Sequence, residues 1–161
     1  MRRLHEEEAR PPELEALKQG IVELSDWLRR EGRGDESLAG DAVQEAVEAI
    51  LLGAVTEGEP IPGPAELGVD PEPYLLGLGD LVGEVRRLAL TRLGRNDLEA
   101  AEEYLVLMER LYHALMRFDT TRAIVQLKPK QDAARGLLER TRGEVVMARY
   151  LSHARAKGGD L

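Results

Sequence analysis

Tyr74-Leu-Leu-Gly-Leu-Gly-Asp-Leu-Val-Gly-Glu-Val-Arg-Arg-Leu-Ala-Leu90 is the stretch whose reading decides the fold. Leu75, Leu78, Leu81/Val82, Val85 and Leu88/Ala89 recur at steps of three and four, which predicts a helix with one face in a core. Gly77, Gly79 and Gly83 interrupt that pattern, and each costs about 1 kcal/mol against Ala inside a helix. Glycines held at that cost point to a neighbouring backbone, or a ligand, that comes too close for a side chain. Beside the apolar stripe, Asp80 and Glu84 lie four residues apart on one strip, with no Lys or Arg three or four residues before either. Arg87 alone is near Glu84.

Outward from this helix, the chain reads as further helices separated by Gly, Pro and Asn breaks. Residues 13–31 follow Pro11-Pro12 and stop at Gly32, with Leu14, Leu17, Ile21, Leu24 and Leu28 on one face and Trp27 as a packing anchor. Gly32 to Gly40 reads as a loop, and Asp41 as the cap of a helix over 41–56 with Val43, Ala46, Val47, Ile50, Leu51 and Ala54 inside. The proline-rich link 57–73 leaves room for one short helical turn, after which Asp70 and Pro71 start the central helix and Gly94 ends it. Asn96 and Glu99 have capping-box spacing for a helix over 97–118, whose stripe is Leu98, Ala101, Leu105, Met108, Leu111/Tyr112 and Leu115. A break and a short apolar helix precede a restart at Pro129, and a last helix over 130–155 keeps Ala134, Leu138, Thr141, Val145 and Ala148 inside and its arginines outside. With no strand pattern and no fixed repeat, the expectation is an all-α, multi-helix antiparallel bundle, one domain over residues 1–161.

Composition narrows the chemistry. With no Cys, disulfides, thiolate metal sites and a cysteine nucleophile are excluded, and His5, His113 and His153 are too scattered to read as a zinc cluster. The N-terminus has no apolar leader and no window is long enough to span a bilayer, which predicts a cytoplasmic protein without a membrane partner. The net charge of −8 is uneven: residues 1–80 hold 7 Lys and Arg against 19 Asp and Glu, whereas residues 81–161 hold 15 against 11. A basic surface in the second half can therefore hold phosphates, since charges beyond about 8 Å are screened in physiological salt.

The glycines spell GxGxxxG inside a helical period with no strand before them, which is not a dinucleotide loop, and no Walker lysine, GxSxG or HExxH is present. Carboxylates remain. Asp41, Glu45 and Glu48 fall within about 60° of helical arc, again with no cation at helical spacing. One reading is a solvated acidic face. The other joins Glu45/Glu48 with Asp80/Glu84: if the two stripes pack together, four acids converge and need a hard cation, Mg²⁺ or Mn²⁺, which would polarise a phosphodiester and activate water.

At these residues the sequence resembles the translin family, in particular its catalytic branch represented by translin-associated factor X. The likeness is carried by Asp41-Ala-Val-Gln-Glu-Ala-Val-Glu-Ala49, by Glu66-Leu-Gly-Val-Asp-Pro71, by the central Tyr74–Leu90 helix, by Leu105–Tyr112 and by Lys130–Glu144, about residues 35 to 150 in all. The resemblance implies an all-helical fold, a hollow homo-oligomer, usually an octamer, and RNA or single-stranded DNA held inside. It further implies a metal-dependent endoribonuclease acting on single-stranded or short RNA, with Glu45, Glu48, Asp80 and Glu84 as both metal ligands and catalytic acids. Met1-Arg-Arg-Leu-His5 reads as the tail of the longer basic N-terminal helix that family members carry. For phosphate contact the candidates are Arg87, Arg122, Lys128, Lys130 and Arg135, four of them around the Pro129 break. Two other readings stay open: a non-catalytic RNA- or single-stranded-DNA-binding oligomer, and an all-α nucleoside triphosphate pyrophosphohydrolase, which the DxxxE spacing fits poorly.

Overall fold

Among the described residues the chain forms six helices and no strand: α1 Pro12–Glu31, α2 Glu36–Glu57, α3 Pro64–Leu67, α4 Pro71–Gly94, α5 Leu98–Met116 and α6 Leu127–Gly158. The computed structural model describes residues 12–31, 36–118 and 127–158, so Met1–His5 and Arg122 lie outside the described residues. The chain divides into two compact units, Met1–Tyr74 and Leu75–Leu161.

In the first unit α1 packs on α2 and on α3, around Ile21, Val43, Val47, Ile50, Leu51, Ala54, Leu67 and Val69, all buried. The helix ends follow one device. Gly58 and Gly68 take left-handed φ of 72° and 62°, and in each case the next residue's N–H reaches back five residues: Glu59 to the Ala54 carbonyl at 2.8 Å and Val69 to that of Pro64 at 3.1 Å. These are Schellman closures, which satisfy carbonyls that a helix end leaves open. The link between α2 and α4 is pinned from both sides, because the Glu66 carboxylate accepts the Gly63 N–H at 2.6 Å and the Tyr74 hydroxyl donates to the Pro62 carbonyl at 2.9 Å. Burial, together with nearby Glu66, pushes the Tyr74 phenol above its ordinary value.

Two expectations for this unit are corrected. α2 begins at Glu36 rather than Asp41: Gly40 is helical and a Cβ there would meet nothing within 4 Å, so one glycine costing about 1 kcal/mol does not stop a helix with good formers on both sides. Trp27 is no anchor but 54% exposed, since it lies two residues, about 200° of arc, past buried Ser25. The side chains of Leu14 and Leu28 lie outside the described ones.

In the second unit α4 and α6 run parallel and α5 runs against both. The antiparallel pairing of α5 and α6 is read from Arg149 on Glu102 (2.5 Å), Arg142 on Glu109 (2.6 Å) and Gln131, whose amide donates to the Leu115 and Phe118 carbonyls at 2.8 and 3.1 Å. The parallel pairing of α4 and α6 is read from Asp80 with Lys130, Gly83 with Leu137 and Arg86 with Glu144. Most of the predicted stripes are inside: Leu78, Leu81, Val82, Val85 and Ala89 of α4, Ala101, Met108, Leu111 and Leu115 of α5, and Ala134, Leu138, Thr141 and Val145 of α6 are buried, whereas Leu88, Leu98, Leu105, Tyr112 and Ala148 are only half-buried at the edges of those stripes.

The turn from α4 to α5 differs from the expected capping box by one residue. Asn96 sits at φ 59° and forms the left-handed residue of a third Schellman closure, with Asp97 N–H on the Arg92 carbonyl at 3.0 Å. An asparagine in that conformation cannot also cap α5, so Asp97 does, accepting the Ala100 N–H at 3.2 Å. α6 likewise begins at Leu127, with Pro129 in its first turn, where a missing N–H breaks no helical bond.

Candidate functional site

The sequence-predicted acids fall on two helices, one pair in each unit. On α2, Glu45 is exposed and Glu48 half-buried, one turn apart. On α4, Asp80 and Glu84 are half-buried, with side chains 27% and 30% exposed, and both project from the strip beside the core face. Among the described residues, no group of three or more His, Asp or Glu is placed to hold a metal ion.

Among the described residues, Arg87 and Lys130 attend the α4 acids, and helical spacing accounts only for Arg87. Arg87, at i+3, grips Glu84 through Nε at 2.8 Å and Nη2 at 2.7 Å. Asp80 receives the ammonium of Lys130, from the first turn of α6 and fifty residues on. Of the other basic candidates, Lys128 pairs with Asp132 at 2.6 Å one turn along α6, and Arg135 donates to the Tyr112 hydroxyl at 3.2 Å. Lys128, Lys130 and Arg135 share the first turns of α6, which runs through Pro129 without the expected break; Arg122, the fourth candidate there, lies outside the described residues.

Two of the α4 glycines have different surroundings. A Cβ on Gly79 would stand 2.9 Å from the Cβ of Lys130, closer than side chains tolerate, whereas one on Gly83 would meet Leu137 Cδ1 at an ordinary 3.9 Å. Gly79 thus admits the stem of a neighbouring lysine, not a backbone. Next to it, a groove of about 490 Å³ is lined by Gly83, Arg86, Arg87, Leu90, Thr91 and Leu137.

Sequence reasoning missed the residues that hold this face together. Arg86 makes a two-pronged contact with Glu144, Nη1 to Oε2 at 2.7 Å and Nη2 to Oε1 at 2.9 Å, and its Nη1 also donates to the Thr141 hydroxyl at 2.6 Å. Thr141 is fully buried and returns its own proton to the Leu137 carbonyl at 2.8 Å. The bond to Arg86, strengthened by its charge, holds the Glu144 carboxyl below the ordinary carboxylate range. The signal for Arg86 was its place between core positions Val82 and Ala89, four residues after one and three before the other.

The oxygen-only chemistry of these acids fits a hard divalent cation, and their partial exposure fits an exchangeable one. Within the second unit, however, Asp80 and Glu84 supply two carboxylates, each already facing an internal cation.

Comparison with known proteins places the chain. The translin family profile matches residues 39–141. An uncharacterised protein of Methanocaldococcus jannaschii is 41% identical over 104 residues, 64% of this chain and 47% of that protein, so the chain spans about half the length of this relative. The structure is similar to that of AfC3PO in a complex with duplex RNA, at 36% identity and a TM-score of 0.75, covering 85% of this chain and 73% of that one. AfC3PO in a second crystal structure matches at 30% identity and a TM-score of 0.65, over 86% and 89% of the two chains. Apo-NeC3PO, at 20% identity and a TM-score of 0.52 over 84% and 91%, shares the fold. By the extent of the profile match and by the all-helical fold it shares with these structures, the chain belongs to the translin family.

Proposed function

We propose that this protein binds RNA as a subunit of a homo-oligomer and cleaves it with a divalent cation, Mg²⁺ or Mn²⁺, held by Glu45, Glu48, Asp80 and Glu84. The RNA half of the reading is supported by the likeness to AfC3PO, whose structure includes duplex RNA. The hydrolytic half rests on one observation: Asp80 and Glu84 lie one turn apart on α4, both open enough to solvent to exchange partners.

A bound hard cation would polarise the phosphodiester and lower the pKa of an attacking water. The chain's own residues supply the rest. Asp80 and Glu84 carry the negative charge that such a cation needs, while Lys130 and Arg87 balance them, so a phosphate is not confronted with bare carboxylates. Arg87 has a side chain 62% exposed and a guanidinium suited to two-pronged contact with phosphate oxygens as well as with Glu84. Lys128 and Arg135, exposed on the first turns of α6, would hold the RNA backbone by charge without reading sequence.

That same compensation of Asp80 and Glu84 favours a second reading, an RNA-binding subunit without hydrolysis. Incubating an end-labelled single-stranded RNA with the purified protein in Mg²⁺, and in EDTA, separates the two. Cleavage in Mg²⁺ that EDTA abolishes supports the first, and retention of intact RNA in both supports the second.

A further inference from the structure

Lys130 occupies a place made for it. Its ammonium rests on Asp80, and its stem lies along the backbone of Gly79, where a Cβ would come within 2.9, 3.3 and 3.6 Å of the lysine Cβ, Cγ and Cδ. Both the lysine and the aspartate are half-buried, at 31% and 27% side-chain exposure. The position is otherwise a poor one for a cation: it is the fourth residue of α6, at the positive end of the helix dipole, and that first turn contains no acid. A lysine placed against the dipole, in a slot that requires glycine on the facing helix, is explained by the carboxylate it reaches.

We infer that Lys130 is a resident counter-cation of Asp80, and that a hard divalent cation binding at Asp80 displaces it. This rests on the metal-binding reading above. Two positive charges at one carboxylate repel strongly in a half-buried site, and of the two the ammonium, on a flexible four-carbon stem with a solvent-facing end, is the one able to leave. Gly79 and Lys130 together therefore set how much metal the site requires.

The test is calorimetric titration of Mn²⁺ into wild-type protein, Lys130→Met, Asp80→Asn and the Lys130→Met/Asp80→Asn double variant. The expected result is Mn²⁺ binding roughly two- to fivefold tighter in Lys130→Met than in wild type, the scale of a partly exposed ion pair, with the gain lost in the double variant. Binding to both proteins with equal or weaker affinity in Lys130→Met overturns the displacement while leaving the metal reading standing. Binding to neither overturns both. A second measurement uses unmodified wild-type protein: an amine-reactive ester, with labelled lysines mapped by mass spectrometry, should label Lys130 faster when Mn²⁺ is present and leave Lys128 unchanged. Equal labelling of Lys130 with and without Mn²⁺ overturns the inference even where Lys130→Met does not fold.

Discussion

Arg86 and Glu144, fifty-eight residues apart in sequence, meet through two parallel bonds of 2.7 and 2.9 Å and so tie α4 to α6 one and a half turns beyond Asp80. The arginine side chain is 17% exposed and the glutamate 40%, so the pair is buried at one end and wet at the other. It fixes the rotation of the helix that carries Asp80 and Glu84.

Breaking this pair should therefore cost stability. Arg86→Ala is expected to lower it by about 1–3 kcal/mol, because Glu144 loses both bonds to the guanidinium and the Thr141 hydroxyl loses one. A double-mutant cycle with Glu144→Gln in urea should give a coupling of about 1 kcal/mol, discounted for the exposed end. The sign with pH follows from the depressed Glu144 carboxyl: its contribution is complete above the ordinary carboxylate value of 4.5 and is lost as pH falls through the lower, folded value. The stability gap between wild type and Glu144→Gln should accordingly shrink below that pH. A gap that stays constant into acid would rule out a stabilising ion pair.

Two glycines of one helix should respond oppositely to alanine. Gly83→Ala gains helix propensity at an ordinary contact distance and should raise stability by about 0.5–1 kcal/mol. Gly79→Ala gains the same propensity but drives a Cβ into the Lys130 stem, and should lower stability by about 1–3 kcal/mol. Thermal melts of the two variants decide the matter; equal shifts would mean that the lysine stem is not confined.

The helical period carried most of the fold in advance, because every core stripe of α4, α5 and α6 was visible as an apolar repeat. What escaped were features decided by backbone geometry or by distant partners. Asn96 looked like a cap, yet its left-handed φ assigns it to the end of α4 and passes the capping role to Asp97. Counting charges at three and four residues found Arg87 for Glu84 but could not find Lys130 for Asp80, which arrives from another helix. The acids themselves were legible as a spacing, and the lysine slot beside them was legible only as a glycine without a reason.

On the proposed RNA-binding reading, the basic turns of α6 act by charge alone. Replacing Lys128, Lys130 and Arg135 together with Ala should weaken binding to all RNA sequences alike and flatten the slope of log affinity against log salt by about 2–3, close to one for each phosphate that is no longer neutralised. An unchanged slope would locate the phosphate-binding surface on other residues.

The four acids are proposed to serve cleavage and not RNA retention. The measurement is Mg²⁺-dependent cleavage and RNA affinity, in parallel, for wild type and for Glu45→Gln, Glu48→Gln, Asp80→Asn and Glu84→Gln. The expected result is cleavage in wild type, loss of at least about a hundredfold in each variant, and RNA affinity unchanged or slightly higher, since each substitution removes a charge that repels phosphate. Undiminished cleavage in these variants, or RNA binding that falls as steeply as cleavage, would contradict it.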